Sequence, residues 1–260
     1  VEWLVGHGAL YLGLGGLVGL VAGAAGVGGG FLTTPLLLLC GIPPVVATAA
    51  GAGQVALVTW PGILRHRRLG TLDHRVVVPL LAGSIPGGMV GVLLVHCLRE
   101  AGTYDGLLRT AYLPVLVAAA VFFARPWFGR ERAARAEASL SPAVTIIVGF
   151  LCGLWAAVLG GGGGWLALAV LAAAANLPVM IAAGTALTAG ALTAAHVVLW
   201  QAAVNGAVSP SLILLLAVGT WLGGRLATRL AGVLAPAAYR CLLGTVPLAV
   251  AGLLFMVGRA

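Results

Sequence analysis

Two runs rich in glycine, Gly26-Val27-Gly28-Gly29-Gly30 and Gly160-Gly161-Gly162-Gly163-Gly164, interrupt long apolar stretches, and each leads into an aromatic residue and a leucine (Phe31-Leu32, Trp165-Leu166). Each is followed about a dozen residues on by proline, Pro43-Pro44 and then Pro178. Glycine loses more backbone freedom on ordering than any other residue, so runs this dense break a membrane helix. Two breaks at matching places in two halves of a chain point to a binding site between them.

The surrounding composition fixes the solvent in which the breaks lie. Of 260 residues, 61% are hydrophobic and 8% charged, a balance that a soluble fold with a water-facing surface does not carry. All six acidic residues (Glu2, Asp73, Glu100, Asp105, Glu131, Glu137) and nearly all basic ones fall in short gaps between apolar runs, so the gaps are the loops. The runs lie at 8–25, 31–41, 44–62, 76–97 and 106–124, and again at 142–159, 165–176, 178–200, 209–231 and 237–258. A spanning helix needs about 20 apolar residues. The expected fold is therefore an all-α integral membrane protein, with about 8–10 hydrophobic segments in two repeats of period near 130 residues. Gly87-Gly88 matches Gly223-Gly224, and Leu108-Arg109 matches Tyr239-Arg240, so the correspondence extends beyond the glycine runs. The second run of each half covers only about 15 Å as helix, which predicts a half-helix or one arm of a re-entrant hairpin. Such backbone is tolerated at membrane depth only when protein or a water-filled cavity surrounds it, so both glycine turns should face inward.

Charge bias sets the orientation. Arg65, Arg67, Arg68 and Arg75 mark one loop as cytoplasmic, Arg125, Arg130, Arg132 and Arg135 mark the central linker, and Arg225 and Arg229 mark the end of the ninth run. The uncharged loop 201–209 should face outward, although Arg99 and Arg109 sit on the same outer side. Residues 1–125 then form a first transmembrane repeat, 126–141 a cytoplasmic linker and 142–260 a second repeat of inverted topology, with both termini outside a bacterial plasma membrane. The net charge of +8 resides in these orienting arginines, which argues against a nucleic-acid partner. Four cysteines (Cys40, Cys97, Cys152, Cys241) lie far apart in apolar segments and support neither a disulfide nor a metal site.

The repeated block reads small-Gly-x-Gly-Gly-Gly-large-Leu, then apolar residues, then x-Pro. Together with Arg65-His66-Arg67-Arg68-Leu69-Gly70-Thr71-Leu72-Asp73-His74-Arg75 and Gly83-Ser84-Ile85-Pro86-Gly87-Gly88, it resembles the TauE/SafE family of sulfite and organosulfonate exporters over essentially the whole chain. The resemblance implies an integral membrane exporter of small sulfur-containing anions. The chain departs from the pattern where Ala169 stands opposite Pro35, and where Ala183-Gly184-Thr185-Ala186 replaces an Ala-x-Gly-Thr-Ser pattern.

An unwound glycine segment frees backbone N–H groups, and the half-helix after it presents its positive end to the gap. Gly28, Gly29 and Gly30 with Thr33 and Thr34 would form one side of an anion cradle near the midplane, and Gly162, Gly163 and Gly164 the other. The competing reading is close helix packing, which is favoured for Gly87-Gly88 and Gly223-Gly224. Gln54, Asn176, Thr185 and Thr188 are further candidates, because a polar group among apolar neighbours needs a partner. A threonine can instead bond its own helix carbonyl. Arg225 either steers anions or snorkels to the interface, and His196 either couples proton movement or is a satisfied interior residue. No acidic residue lies inside a span, which disfavours cation pumping. No HExxH, GxSxG or phosphate-loop motif supplies an enzyme's reagents, and no cofactor is implied. The reading is a transporter exporting a small oxyanion, with the lipid bilayer as its surroundings and a homodimer as a possible assembly. An anion channel of the same architecture, or a membrane assembly protein without a translocation path, remains the alternative.

Overall fold

The computed structural model describes residues 6–25, 29–124, 141–161, 163–173, 177–231 and 236–257. The described chain is helical: α1 (Gly8–Ala25), α2 (Gly30–Leu39), α3 (Pro44–Val58), α4 (Trp60–Arg68), α5 (His74–Glu100), α6 (Tyr104–Ala124), α7 (Pro142–Leu159), α8 (Gly164–Ala173), α9 (Val179–Asn205), α10 (Pro210–Ala231) and α11 (Pro236–Val257). Among the described residues, five helices (α5, α6, α7, α9 and α10) are long and apolar enough to cross a membrane. Helices satisfy every backbone group internally, which the hydrocarbon interior demands. The protein is a multi-pass membrane protein, as its composition requires.

Each apolar run carries a helix, with two differences. α9 continues to Asn205, so the first half of the segment expected as the loop 201–209 is helix. The run at 44–62 divides into α3 and α4 at Thr59, whereas its counterpart α9 continues through 27 residues. Pro61 has no N–H to give and its ring crowds the carbonyl four residues back. The Thr59 hydroxyl bonds the Val55 carbonyl at 2.6 Å, which also bends a helix. The runs at 31–41 and 165–176 become ten-residue helices, α2 and α8, each about 15 Å long and so half a bilayer core. α2 turns back on α3 through Gly41 (φ 76°) and Pro43.

Two helix pairs hold the bundle together, α1 along α10 and α5 along α7. In each, glycines four apart let one backbone press on the other. A Cβ on Gly15, Gly19 or Gly23 would strike the backbone of Leu216, Thr220 or Gly224, and one on Gly219 or Gly223 would strike α1. A Cβ on Gly83 or Gly87 would strike the carbonyls of Ile146 or Phe150, and one on Gly149 or Gly153 those of Leu80 or Ser84. The glycines reserved for packing on sequence grounds thus include two that do pack, Gly87 and Gly223. The most extensive pairings correspond when the halves are exchanged, with α3 and α4 counted as one segment: α1 meets α10 as α7 meets α5, and α3 meets α10 as α9 meets α5.

Candidate functional site

The helices stop where the glycine runs begin. α1 ends at Ala25 and α2 starts at Gly30, while α7 ends at Leu159 and α8 starts at Gly164. Gly29 and Gly163, each just before a half-helix, have φ of 73° and 65°, and Gly160 has 70°, a left-handed conformation that residues with a Cβ avoid. Space forbids a side chain as well: a Cβ on Gly160 would lie 2.5 Å from the Thr48 Cα and carbonyl oxygen, and one on Gly163 2.5 Å from the Cys152 carbonyl oxygen. The two breaks touch. A Cβ on Gly30 would lie 3.1 Å from the Gly160 oxygen and 3.2 Å from the Gly161 carbonyl carbon.

Between them runs a narrow cleft with room for about one water molecule. Its walls are the break residues Gly29, Gly161 and Gly164, the side chains of Phe31, Val55, Thr59, Trp165, Leu168 and Leu187, and a face of small residues on α9. Trp165 stands in the first turn of α8, 8% exposed, with its ring 6.5 Å from Phe31 and edge-on to Trp155 at 5.7 Å. Its indole N–H is buried and has no hydrogen-bond partner among the described residues. A second small cavity lies behind Gly163, against Ser84, Cys152 and Thr193.

Gly29 and Gly164 line the cleft, Gly30 abuts the opposite break, and Gly163 turns toward the second cavity. Gly28, Gly162 and Asn176 lie outside the described residues. Thr33 and Gln54 are buried but engaged. The Thr33 hydroxyl donates to Gln54 Oε1, Gln54 Nε2 donates to the Thr220 hydroxyl, and that hydroxyl donates to the Gly15 carbonyl at 3.0 Å. This chain ties α2, α3, α10 and α1 together, so the amide that needed a partner has two. Thr34 is wedged between Gly51 and Gly160. Thr185 accepts the Asp73 backbone N–H at 3.2 Å, fixing the 70–73 turn on α9, and Thr188 donates to its own helix at the Gly184 carbonyl, 2.8 Å away. His196 has a buried Nε2 without a hydrogen-bond partner among the described residues and meets Trp200 edge-on at 6.3 Å. Arg225 is exposed and stacks its guanidinium 3.7 Å over Trp221. Neither lines the cleft.

Sequence reasoning missed four contributors. Trp165 was read only as the large residue of the repeated block, although an indole N–H in an apolar span always needs an acceptor. Tyr104 and Tyr112, two turns apart on α6, donate their hydroxyls to the Val158 carbonyl (2.7 Å) and the Leu159 carbonyl. These are among the last carbonyls of α7, which the break leaves without intrahelical donors. Thr220, beside the Gly223-Gly224 pair, completes the Gln54 chain. Among the described residues no group of His, Cys, Asp and Glu could hold a metal ion.

Comparison with known proteins gives the arrangement a family. The chain is 34% identical over 83 residues to the probable membrane transporter protein YjnA of Bacillus subtilis (strain 168), a match covering 32% of this chain and 33% of that one. The match thus spans about a third of that relative's length. No solved structure matches. A family model for the sulfite exporter TauE/SafE matches residues 11–254, nearly the whole chain with both breaks inside it, and the chain belongs to that family.

Proposed function

We propose that this protein is a membrane transporter that exports a small sulfur-containing oxyanion, of the sulfite or organosulfonate class, through a site between the two glycine-broken helices near the membrane midplane. The observation that carries the reading is the meeting of the breaks: two half-helices begin at abutting glycine segments, α2 at Gly30 and α8 at Gly164, beside one interior cleft. Helix N-termini favour negative charge, and family membership supports a sulfur oxyanion as the cargo.

The two halves, 1–125 and 142–260, act as inverted repeats joined by a cytoplasmic linker at 126–141, with both termini outside. The exchange of partners, α1 with α10 and α7 with α5, supports a twofold relation. Arg99, on the outer side, donates to the Asn205 carbonyl at the end of α9 at 3.2 Å and is used as a helix cap. The narrowness of the cleft favours a carrier over an open channel, since an oxyanion enters only if Phe31, Trp165 or α9 gives way. An inside-negative potential contributes about 2.3 kcal/mol per charge per 100 mV to outward movement of an anion. Proteoliposome flux of sulfite, an alkanesulfonate and sulfate tests the proposal: protein-dependent flux of at least one sulfur oxyanion is expected, and equal flux with and without protein for all of them overturns it.

A further inference from the structure

The cleft carries information about the charge of its cargo. Its side-chain donors reduce to one, because the Thr59 proton is committed to the Val55 carbonyl at 2.6 Å, while the Trp165 N–H, on a residue 92% buried by its 8% exposure, has no partner among the described residues. Trp165 and Gly164 both belong to the first turn of α8 and both line the cleft, which places the indole and the free N–H groups of that turn at one end of it. The remaining side chains that line it are apolar, and its other polar groups are those of the backbone. No charged residue lines the cleft among the described residues, and Gly26, Val27, Gly28 and Gly162, which complete the two breaks, have no ionisable side chain.

Neutral donors solvate an anion without cancelling its charge. The cost of taking an ion out of water grows as the square of its charge, so a dianion meets about four times the desolvation cost of a monoanion of similar size. Arginine or lysine beside a bound dianion repays that cost by charge-assisted bonds, which neutral donors do not supply. Here the exposed guanidinium of Arg225 is engaged with Trp221, away from the cleft.

On the transport reading above, we infer that the cleft selects singly charged oxyanions over doubly charged ones, and that the Trp165 indole N–H is the side-chain donor on which this recognition depends. Sulfite is then carried as hydrogen sulfite, and a sulfonate needs no protonation.

The experiment compares methyl sulfate, methanesulfonate and sulfate in proteoliposomes containing the protein. Methyl sulfate and sulfate share a sulfur-oxygen core and differ in charge. The monoanions should be carried at least about tenfold faster than sulfate, in keeping with the charge-squared penalty. Sulfite flux at fixed total concentration should rise as pH falls through neutrality. Trp165→Phe, which keeps the ring and removes the donor, should raise the half-saturating concentration of methanesulfonate roughly tenfold. The anion-free variant should unfold at a lower temperature because its ring is smaller, since Trp165 packs on Phe31 and Trp155, and this loss is common to all anions tested. Sulfate carried as fast as methyl sulfate overturns the charge selection and leaves the transport reading standing. An unchanged half-saturation in a folded Trp165→Phe variant overturns the role of the indole. Absence of protein-dependent flux for every anion overturns the transport reading and this inference with it. If the variant does not fold, the methyl sulfate to sulfate ratio of the unaltered protein decides.

Discussion

The two breaks occupy matching places in the two halves and differ in almost every side chain around them. Gly29 and Gly163 take the same left-handed turn, yet the residue after the first helical glycine is Phe31 in one half and Trp165 in the other. The first break is stitched into the bundle by Thr33, Gln54 and Thr220. The second leaves an indole donor without a hydrogen-bond partner among the described residues and hands the preceding carbonyls to Tyr104 and Tyr112. The repeated sequence thus accounts for the shared backbone turn, while the polar side chains around the two breaks differ: Thr33, Thr34 and Gln54 beside the first, the Trp165 indole beside the second.

The largest expected contrast is between the glycines themselves. Gly160→Ala meets both a left-handed φ and the Thr48 backbone, and should cost about 3 kcal/mol or more. Gly29→Ala meets a similar left-handed φ but side chains in place of backbone, Val18 at 2.7 Å, which can rotate, and the Ala22 Cβ at 2.9 Å, which moves only with its helix, and should cost about 2 kcal/mol. Thermal unfolding of the purified variants in detergent reads both, and equal losses would erase the distinction.

Gln54→Leu tests the stitched side. It leaves the Thr33 hydroxyl with only the Gly29 carbonyl at 3.4 Å and Thr220 with only the Gly15 carbonyl, for an expected loss of about 2 kcal/mol in the same assay. A smaller effect is expected on the opposite side from Tyr112→Phe, about 1 kcal/mol, since the Leu159 carbonyl loses one donor while Tyr104 still caps Val158. A Tyr112→Phe loss exceeding that of Gln54→Leu would mean that the second break is the more rigidly held.

The smallest effect lies at the α4 turn. Burial, with the Arg65 charge beside it, holds the His66 imidazole below its ordinary pKa, and its Nδ1 sits 2.8 Å from the Thr71 hydroxyl. A depressed histidine pKa means the neutral form is the one the fold prefers. Its contribution is complete above the unfolded value of about 6.5 and is lost as pH falls through the lower folded value. Unfolding temperatures followed from neutral to mildly acidic pH should fall less steeply in His66→Gln than in the unaltered protein. Parallel curves would remove His66 from the account.

Much of the architecture was legible in the sequence because lipid leaves few alternatives. Apolar runs had to be helices, and glycine runs had to break them, so α7 coincides with its run at 142–159 and both half-helices appear where their length predicted. The split at Thr59 was not read, because Pro61 lay inside a run that otherwise looked continuous. The site was less legible for a physical reason. A buried polar residue announces that it needs a partner and does not say whether the partner is protein or cargo. Gln54 and Thr33 found each other and Thr188 found its own helix, while the buried groups without a hydrogen-bond partner among the described residues are the Thr34 hydroxyl, His196 Nε2 and the indole N–H of Trp165, which composition counts among the apolar residues.

The most direct test of the central claim is the position of an anomalous scatterer in crystals of the protein soaked with bromomethanesulfonate, a heavy-atom monoanion of the proposed class. The account predicts a peak in the cleft between Gly29 and Gly164, with a sulfonate oxygen within hydrogen-bond distance of the Trp165 indole nitrogen. A peak confined to other sites, with the cleft between the two breaks still closed by Phe31 and Trp165, would contradict it.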